Sequence, residues 1–226
     1  MARRFRLCAR LAGAGASVAA FGSSGLARSS DGEDAPTGRF VAGTHFKLLM
    51  HEKGQVGDVP VWEPTPSVVP FSDSAMAVAR MDIPNVPGAF LLSNVLTQNE
   101  CSTLSCLAES MGFNPDAPIT LERNDIRRNK NCLIIADDSM WQPIWQRVKD
   151  SVPPSEDGGA AAGLNQRWRL YRYEQDGVFR AHIDNSWPGS AVRDGILEDD
   201  AFGDRWRCVR QPVLSGSLVS GRGRGF

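Results

Sequence analysis

Histidine is nearly absent from this chain: His45, His51 and His182 are the only three among 226 residues. Tyrosine is scarcer still, with Tyr171 and Tyr173 alone. Cysteine occurs five times (Cys8, Cys101, Cys106, Cys132, Cys208), but the count is odd and no two form a CxxC pair. Neither a disulfide framework nor a zinc site is favoured, and the thiols read as ordinary buried groups. No apolar run is long enough to cross a membrane as a helix; the best, residues 11–21, is short and broken by glycine. Acidic groups are missing from both ends. Residues 1–30 carry five arginines and residues 207–226 four, with no acid in either. All 26 acidic residues therefore lie in 31–206 against 16 basic ones, a net charge of -10 for the central body. A body of that sign repels phosphate backbones, which argues against nucleic-acid binding.

What is present divides the chain into four parts. Residues 1–30, with Arg3, Arg4, Arg6, Arg10 and Arg28 among Ala, Gly and Ser, read as an organelle-targeting peptide for a mitochondrion or plastid. The rival reading is a signal for the endoplasmic reticulum and secretion. Residues 31–88 form a lead-in rich in proline and glycine that is expected to wrap the domain as irregular structure or edge strands. Pro60, Pro64, Pro66 and Pro70 exclude a helix there. His45 and His51 fall in this lead-in and read as surface or satisfied histidines. Residues 89–206 carry the domain proper, and residues 207–226 form a basic Gly/Ser/Arg tail.

Inside the domain the punctuation is crisp. Residues 89–92 predict a short apolar strand. Thr97 and Glu100 make a capping box, and Cys101, Leu104, Leu107, Ala108 and Met111 recur at helical spacing before Gly112. A second helix follows from Trp141, Ile144, Trp145 and Val148, with Pro143 tolerable within its first turn or so. Arg167-Trp-Arg-Leu-Tyr-Arg-Tyr173 alternates and is aromatic, so it predicts a strand. Asp176-Gly177 is a two-residue turn signal, and residues 178–184 predict the returning strand of a hairpin. At its far end His182 and Asp184 project to one face, their Cα atoms roughly 6.5 Å apart. An imidazole and a carboxylate so placed suit the 2-His-1-carboxylate triad of non-haem Fe(II) oxygenases and supply two of its three ligands.

The sequence Gly163-Leu-Asn-Gln-Arg-Trp-Arg-Leu-Tyr-Arg-Tyr173, followed by Phe179-Arg-Ala-His182-Ile-Asp184-Asn, closely resembles prolyl 4-hydroxylase-like Fe(II)/2-oxoglutarate dioxygenases. Phe90-Leu-Leu-Ser-Asn-Val-Leu-Thr-Gln-Asn-Glu-Cys101, Arg127-Arg-Asn129 and Trp145-Gln-Arg-Val148 match the layout of that family, so the resemblance covers about residues 89–206. It implies a mainly β fold with flanking helices, a double-stranded β-helix or jelly roll. It also implies that His182 and Asp184 ligate Fe(II) and that Tyr173 donates a hydrogen bond to a carboxylate of 2-oxoglutarate. The alternative for Tyr173 is packing in the barrel; Tyr171 shares its face with weaker support. The implied oxidoreductase couples decarboxylation of 2-oxoglutarate to hydroxylation of a C–H bond, with L-ascorbate keeping the iron reduced. Its substrate would be peptidyl proline in a protein or peptide, or else a small molecule.

The chain departs from the family after Asp184. No histidine follows His182, and the basic residue that pairs with the far carboxylate of 2-oxoglutarate has no match. Only 42 residues follow Asp184, where completing a jelly roll takes on the order of 50 or more. The expectation is a C-terminally incomplete domain, its tail read from a shifted frame or retained intron; an authentic truncated isoform is the rival. Two further readings stand beside the dioxygenase. One is a catalytically inactive truncated relative acting as a binding or scaffold module. The other is a metal-independent jelly-roll binding domain.

Overall fold

The computed structural model describes residues 3–12, 18–21, 40–54, 57–73, 77–85, 89–115, 127–153, 163–173, 178–179, 189–201 and 213–220. Of 3–12, 18–21, 127–128, 178–179 and 213–220 it describes the backbone alone. The first strands are β1 (Arg3–Ala12), β2 (Val18–Phe21), β3 (Phe46–Lys53), β4 (Asp58–Pro64), β5 (Ala79–Asp82) and β6 (Phe90–Ser93). Then come α1 (Gln98–Met111), β7 (Arg127–Arg128), β8 (Lys130–Ile135) and α2 (Asp138–Val148). The last are β9 (Gly163–Leu164), β10 (Arg167–Tyr173), β11 (Val178–Phe179), β12 (Ala191–Arg193), β13 (Ile196–Glu198) and β14 (Val213–Ser220). Among the described residues the protein is mainly β with two α-helices, as expected.

Both helices form where the spacing places them. Thr97 accepts from the Glu100 amide while the Glu100 carboxylate accepts from the Thr97 amide, so two orphan donors at the start of α1 are satisfied reciprocally. Gly112 closes the helix at φ 91°, a conformation that suits glycine. Leu104, Leu107, Ala108 and Met111 form the inward stripe of α1, and Met140, Ile144 and Val148 that of α2. Pro143 stands one turn deeper in α2 than expected, at its sixth position. It thereby removes the amide that would have bonded the Ser139 carbonyl.

Nine strands of the large sheet run in the order β3-β4-β8-β10-β1-β14-β2-β6-β5, with β9 attached to β1. The lead-in is thus part of the sheet. β3 is an edge strand, as expected, but β4 lies inside, paired to β3 and, in parallel, to β8. Pro60 and Pro64 survive there because the β4–β8 ladder covers only Val61 and Trp62. Residues 65–73 then cross the helical side, where Val69 is fully buried in the main core and Val68 and Phe71 pack against it. Both terminal segments pair in the sheet, β1 between β10 and β14, and β14 between β1 and β2.

One expected pairing does not form. The Asp176-Gly177 turn signal predicts that residues 178–184 fold back on β10 as a hairpin; of that segment the structure describes Val178 and Phe179. Instead β10 has β8 on one edge and β1 on the other, and β11 pairs with β7 in a separate two-stranded sheet. With both edges occupied, β10 has no backbone donors left to offer a returning strand.

Candidate functional site

Strand β10 organises the site, and Asn165 sets where it begins. The Asn165 Oδ1 accepts from the Arg167 amide at 3.0 Å and from the Ser190 amide at 3.2 Å, while its carbonyl accepts from the Trp168 indole at 2.9 Å. Alternation then sorts the strand. Trp168 and Leu170 enter the main core beneath the helices. Arg172 shares their side, with its Nη1 donating to Glu109 of α1 at 2.9 Å and its guanidinium 4.9 Å from the Phe113 ring. Arg167, Arg169, Tyr171 and Tyr173 face the other way.

That opposite face is half apolar and half polar. Across β8 the cross-strand partners of Arg167, Arg169 and Tyr171 are Ile135, Leu133 and Asn131. Leu133 and Ile135 join Val59 and Val61 in a second core, and Val192 and Leu197 of the β12–β13 hairpin pack over it. Arg167 lies at this apolar end with its side chain only 3% exposed. Its guanidinium donates to both carboxylate oxygens of Glu52 on β3 and, at 3.1 Å, to Asp199 beyond β13. A buried arginine needs such partners, because an isolated charge in an apolar setting is costly.

At the polar end stand the chain's two tyrosines. Tyr171 is 7% exposed, Tyr173 is half-buried with its hydroxyl oxygen shielded from solvent, and the rings meet edge to face at 6.4 Å. Asn131, opposite Tyr171, is 1% exposed. After Tyr173 the chain leaves the large sheet and enters the small one at Val178. His182 and Asp184 lie outside the described residues. The structure therefore places Tyr173 beside Tyr171, as the sequence alternation expects, and does not describe their relation to the histidine and aspartate.

The other histidines have structural settings. His45 Nδ1 accepts from the Val41 amide at 3.0 Å, and its ring stands edge-on to Phe40 at 5.3 Å. His51 is exposed on β3 opposite Pro60. Among the described residues no three His, Cys, Asp or Glu side chains gather as a metal cage. No helix among them is long and apolar enough to cross a membrane.

Titration is perturbed elsewhere. Burial pushes the Cys132 thiol up to about 12, helped by the Glu109 charge, and burial with the Glu100 charge pushes Cys101 up to about 11. Both stay protonated and poorly nucleophilic at neutral pH. For Glu100, burial alone would raise the carboxyl. The Arg147 guanidinium and the amides of Ser72 and Thr97 outweigh it and hold the carboxyl below its ordinary value.

Sequence reasoning did not single out Arg167 with Glu52 and Asp199, nor Arg169. The alternation of residues 167–173 carries a signal for the shared face of the arginines and tyrosines. Nothing local announces Glu52, which is 115 residues away in the chain.

No protein-family model matches this chain, and neither the curated proteins nor the solved structures contain a significant match to it.

Proposed function

We propose that the chain carries the N-terminal part of the site of an Fe(II)- and 2-oxoglutarate-dependent dioxygenase, prolyl 4-hydroxylase-like, acting on a C–H bond of peptidyl proline. The reading is carried by one arrangement: Tyr173, its hydroxyl shielded on the inner face of β10, nine residues ahead of the His182-Ile183-Asp184 motif. The passage from the large sheet into a second sheet at Val178 also supports it, since a jelly roll is a double sheet.

The donor types fit the groups they would hold. An imidazole and a carboxylate from His182 and Asp184 are Fe(II) ligands of the right kind, and a phenol is a hydrogen-bond donor suited to a carboxylate. His182 and Asp184 would hold the metal. Tyr173 would donate to a carboxylate of 2-oxoglutarate, its ring held in place by Tyr171 and the strand beneath. Bound iron supplies oxygen activation, coupling decarboxylation of 2-oxoglutarate to succinate with insertion of one oxygen atom into the substrate C–H bond. The walls from Leu133, Ile135, Val59 and Val61 would keep that face dry beside the polar row.

Anaerobic addition of Fe(II) and then 2-oxoglutarate to the full chain tests the reading. The expected result is a visible metal-to-ligand charge-transfer band that disappears in His182→Ala. A band that survives in His182→Ala overturns the site. No band in the unaltered chain favours instead a binding module without catalysis, as fits a sequence with no histidine after His182.

A further inference from the structure

Residues 1–30 have the arginine-rich, acid-free composition of a targeting peptide, yet β1 runs through the middle of the large sheet, between β10 and β14. Its alternation explains the fit. Phe5, Leu7, Ala9 and Leu11 take one set of alternate positions, and Arg4, Arg6, Cys8 and Arg10 take the other. In register, Leu7 stands opposite Leu170 and Leu11 opposite Leu164, both members of the main core. Arg4 and Arg6 stand opposite Tyr173 and Tyr171, on the face turned away from the helices. The other edge agrees. Leu214, Gly216 and Leu218 of β14 stand opposite Ala9, Leu7 and Phe5, while Ser215 and Ser217 stand opposite Cys8 and Arg6. The same apolar rows continue through Val18 and Ala20 of β2 to Phe90 and Leu92 of β6, both buried in the main core. A one-residue slip of β1 would turn Arg4, Arg6 and Arg10 to the core side, so the register is specified on both edges.

We infer that residues 3–12 are a self-donated strand. The body presents a slot between β10 and β14 that takes an extended segment alternating apolar and basic residues, and the chain's own N-terminal segment fills it. Three features select that occupant. Its apolar positions continue the core face of the sheet, its backbone pairs along two edges, and its positive charge suits a body of net charge -10 between residues 31 and 206. An empty slot would leave β10 and β14 each with an open edge, the state that invites foreign strands. This goes beyond the dioxygenase reading and does not depend on it, although the slot borders the strand that carries Tyr171 and Tyr173. It also gives the arginines two exclusive uses. A targeting receptor reads them only while the segment is unpaired, and folding withdraws the segment from it.

The full chain carrying a protease site inserted between Ala12 and Val18 tests this. Cut under native conditions, it is expected to keep its N-terminal fragment through size-exclusion chromatography and to release it only in denaturant. Release that leaves the midpoint of thermal unfolding unchanged overturns the inference. If release destabilises or unfolds the remainder, a synthetic peptide of residues 1–14 is expected to restore the midpoint, and failure to restore it overturns the inference as well. Altered peptides, refolded with the cut chain in competition with its own fragment, separate strand insertion from simple charge attraction. Leu7→Asp puts a charge on the core side and is expected to weaken binding by about a hundredfold. Arg6→Gln removes a charge from the outer face and is expected to bind nearly as the unaltered peptide does. Equal losses from the two, or a greater loss from Arg6→Gln, overturn the slot. None of these results bears on the iron site, which has its own readout in the charge-transfer band.

Discussion

Removing the Glu100 carboxylate is expected to destabilise the protein more than any other single change on the helical side. Glu100 is almost completely buried, its side chain 1% exposed, and it accepts four hydrogen bonds. The Ser72 and Thr97 amides donate to it at 2.8 and 2.7 Å. The two terminal nitrogens of Arg147 donate at 2.8 and 2.7 Å. The same guanidinium also donates to the carbonyls of Val95 and Ser72. One ion pair thus joins α1, α2, the loop before α1 and the segment that crosses the helices. Glu100→Ala leaves the guanidinium and two amides short of an acceptor, and breaking one side of a buried pair costs about 3–5 kcal/mol. At about 2–4 °C per kcal/mol for a chain of this size, the midpoint of thermal unfolding falls by roughly 6–20 °C. Urea unfolding checks the free energy, with an unchanged slope showing that the folded and unfolded surfaces are comparable. The carboxyl titrates below its ordinary value of 4.5 in the folded state, so protonation favours the unfolded chain. Its contribution is therefore whole above the ordinary value and is lost as the pH falls through the lowered one. Glu100→Gln should flatten that acid limb. A loss under about 1 kcal/mol in Glu100→Ala at neutral pH, with unchanged slope, would refute the reasoning.

Three further outcomes follow from particular contacts. Gly163→Ala places a Cβ 2.9 Å from Cζ3 of Trp141, and Trp141 is tied through its indole nitrogen to Asp138, so about 1–3 kcal/mol should be lost; chemical denaturation within about 0.5 kcal/mol of the unaltered chain would contradict this. Arg167→Ala leaves the Glu52 carboxylate buried without its guanidinium and detaches the β12–β13 hairpin at Asp199. It should cost about 3–5 kcal/mol and speed amide exchange in 190–199, and unchanged exchange there would remove the hairpin from the account. Native-state alkylation at pH 8 read by mass spectrometry should modify exposed Cys106 well ahead of Cys132, whose thiol is pushed up to about 12; equal rates would be inconsistent with the burial of Cys132.

The helices were legible because their signals are local. A capping box spans four residues and a stripe about three turns; both are written contiguously in 97–112, and the stripe alone in 137–148. The two faces of β10 were legible for the same reason, since a period of two can be read without knowing any neighbour. The place of the lead-in was not. β4 lies inside the sheet because it pairs with β8, about seventy residues later, and no property of 58–64 reports that partner. Its prolines argue for an edge, and only the shortness of the β4–β8 ladder reconciles them with an interior position. The Glu52–Arg167 pair is equally silent, since neither side chain is unusual until the fold brings them together.

The hairpin expected at Asp176-Gly177 shows how this difference reaches the candidate site. A two-residue turn is a local preference worth little against a full ladder on each side of a strand. Once β8 and β1 occupy both edges of β10, the chain beyond Tyr173 must leave the sheet, and it pairs next with β7. The step from Tyr173 to Val178 is therefore a passage between two sheets and not the turn of one hairpin. The alternation of β10 survives that change because it depends on the strand alone, whereas the identity of its neighbours depends on segments far away in the chain.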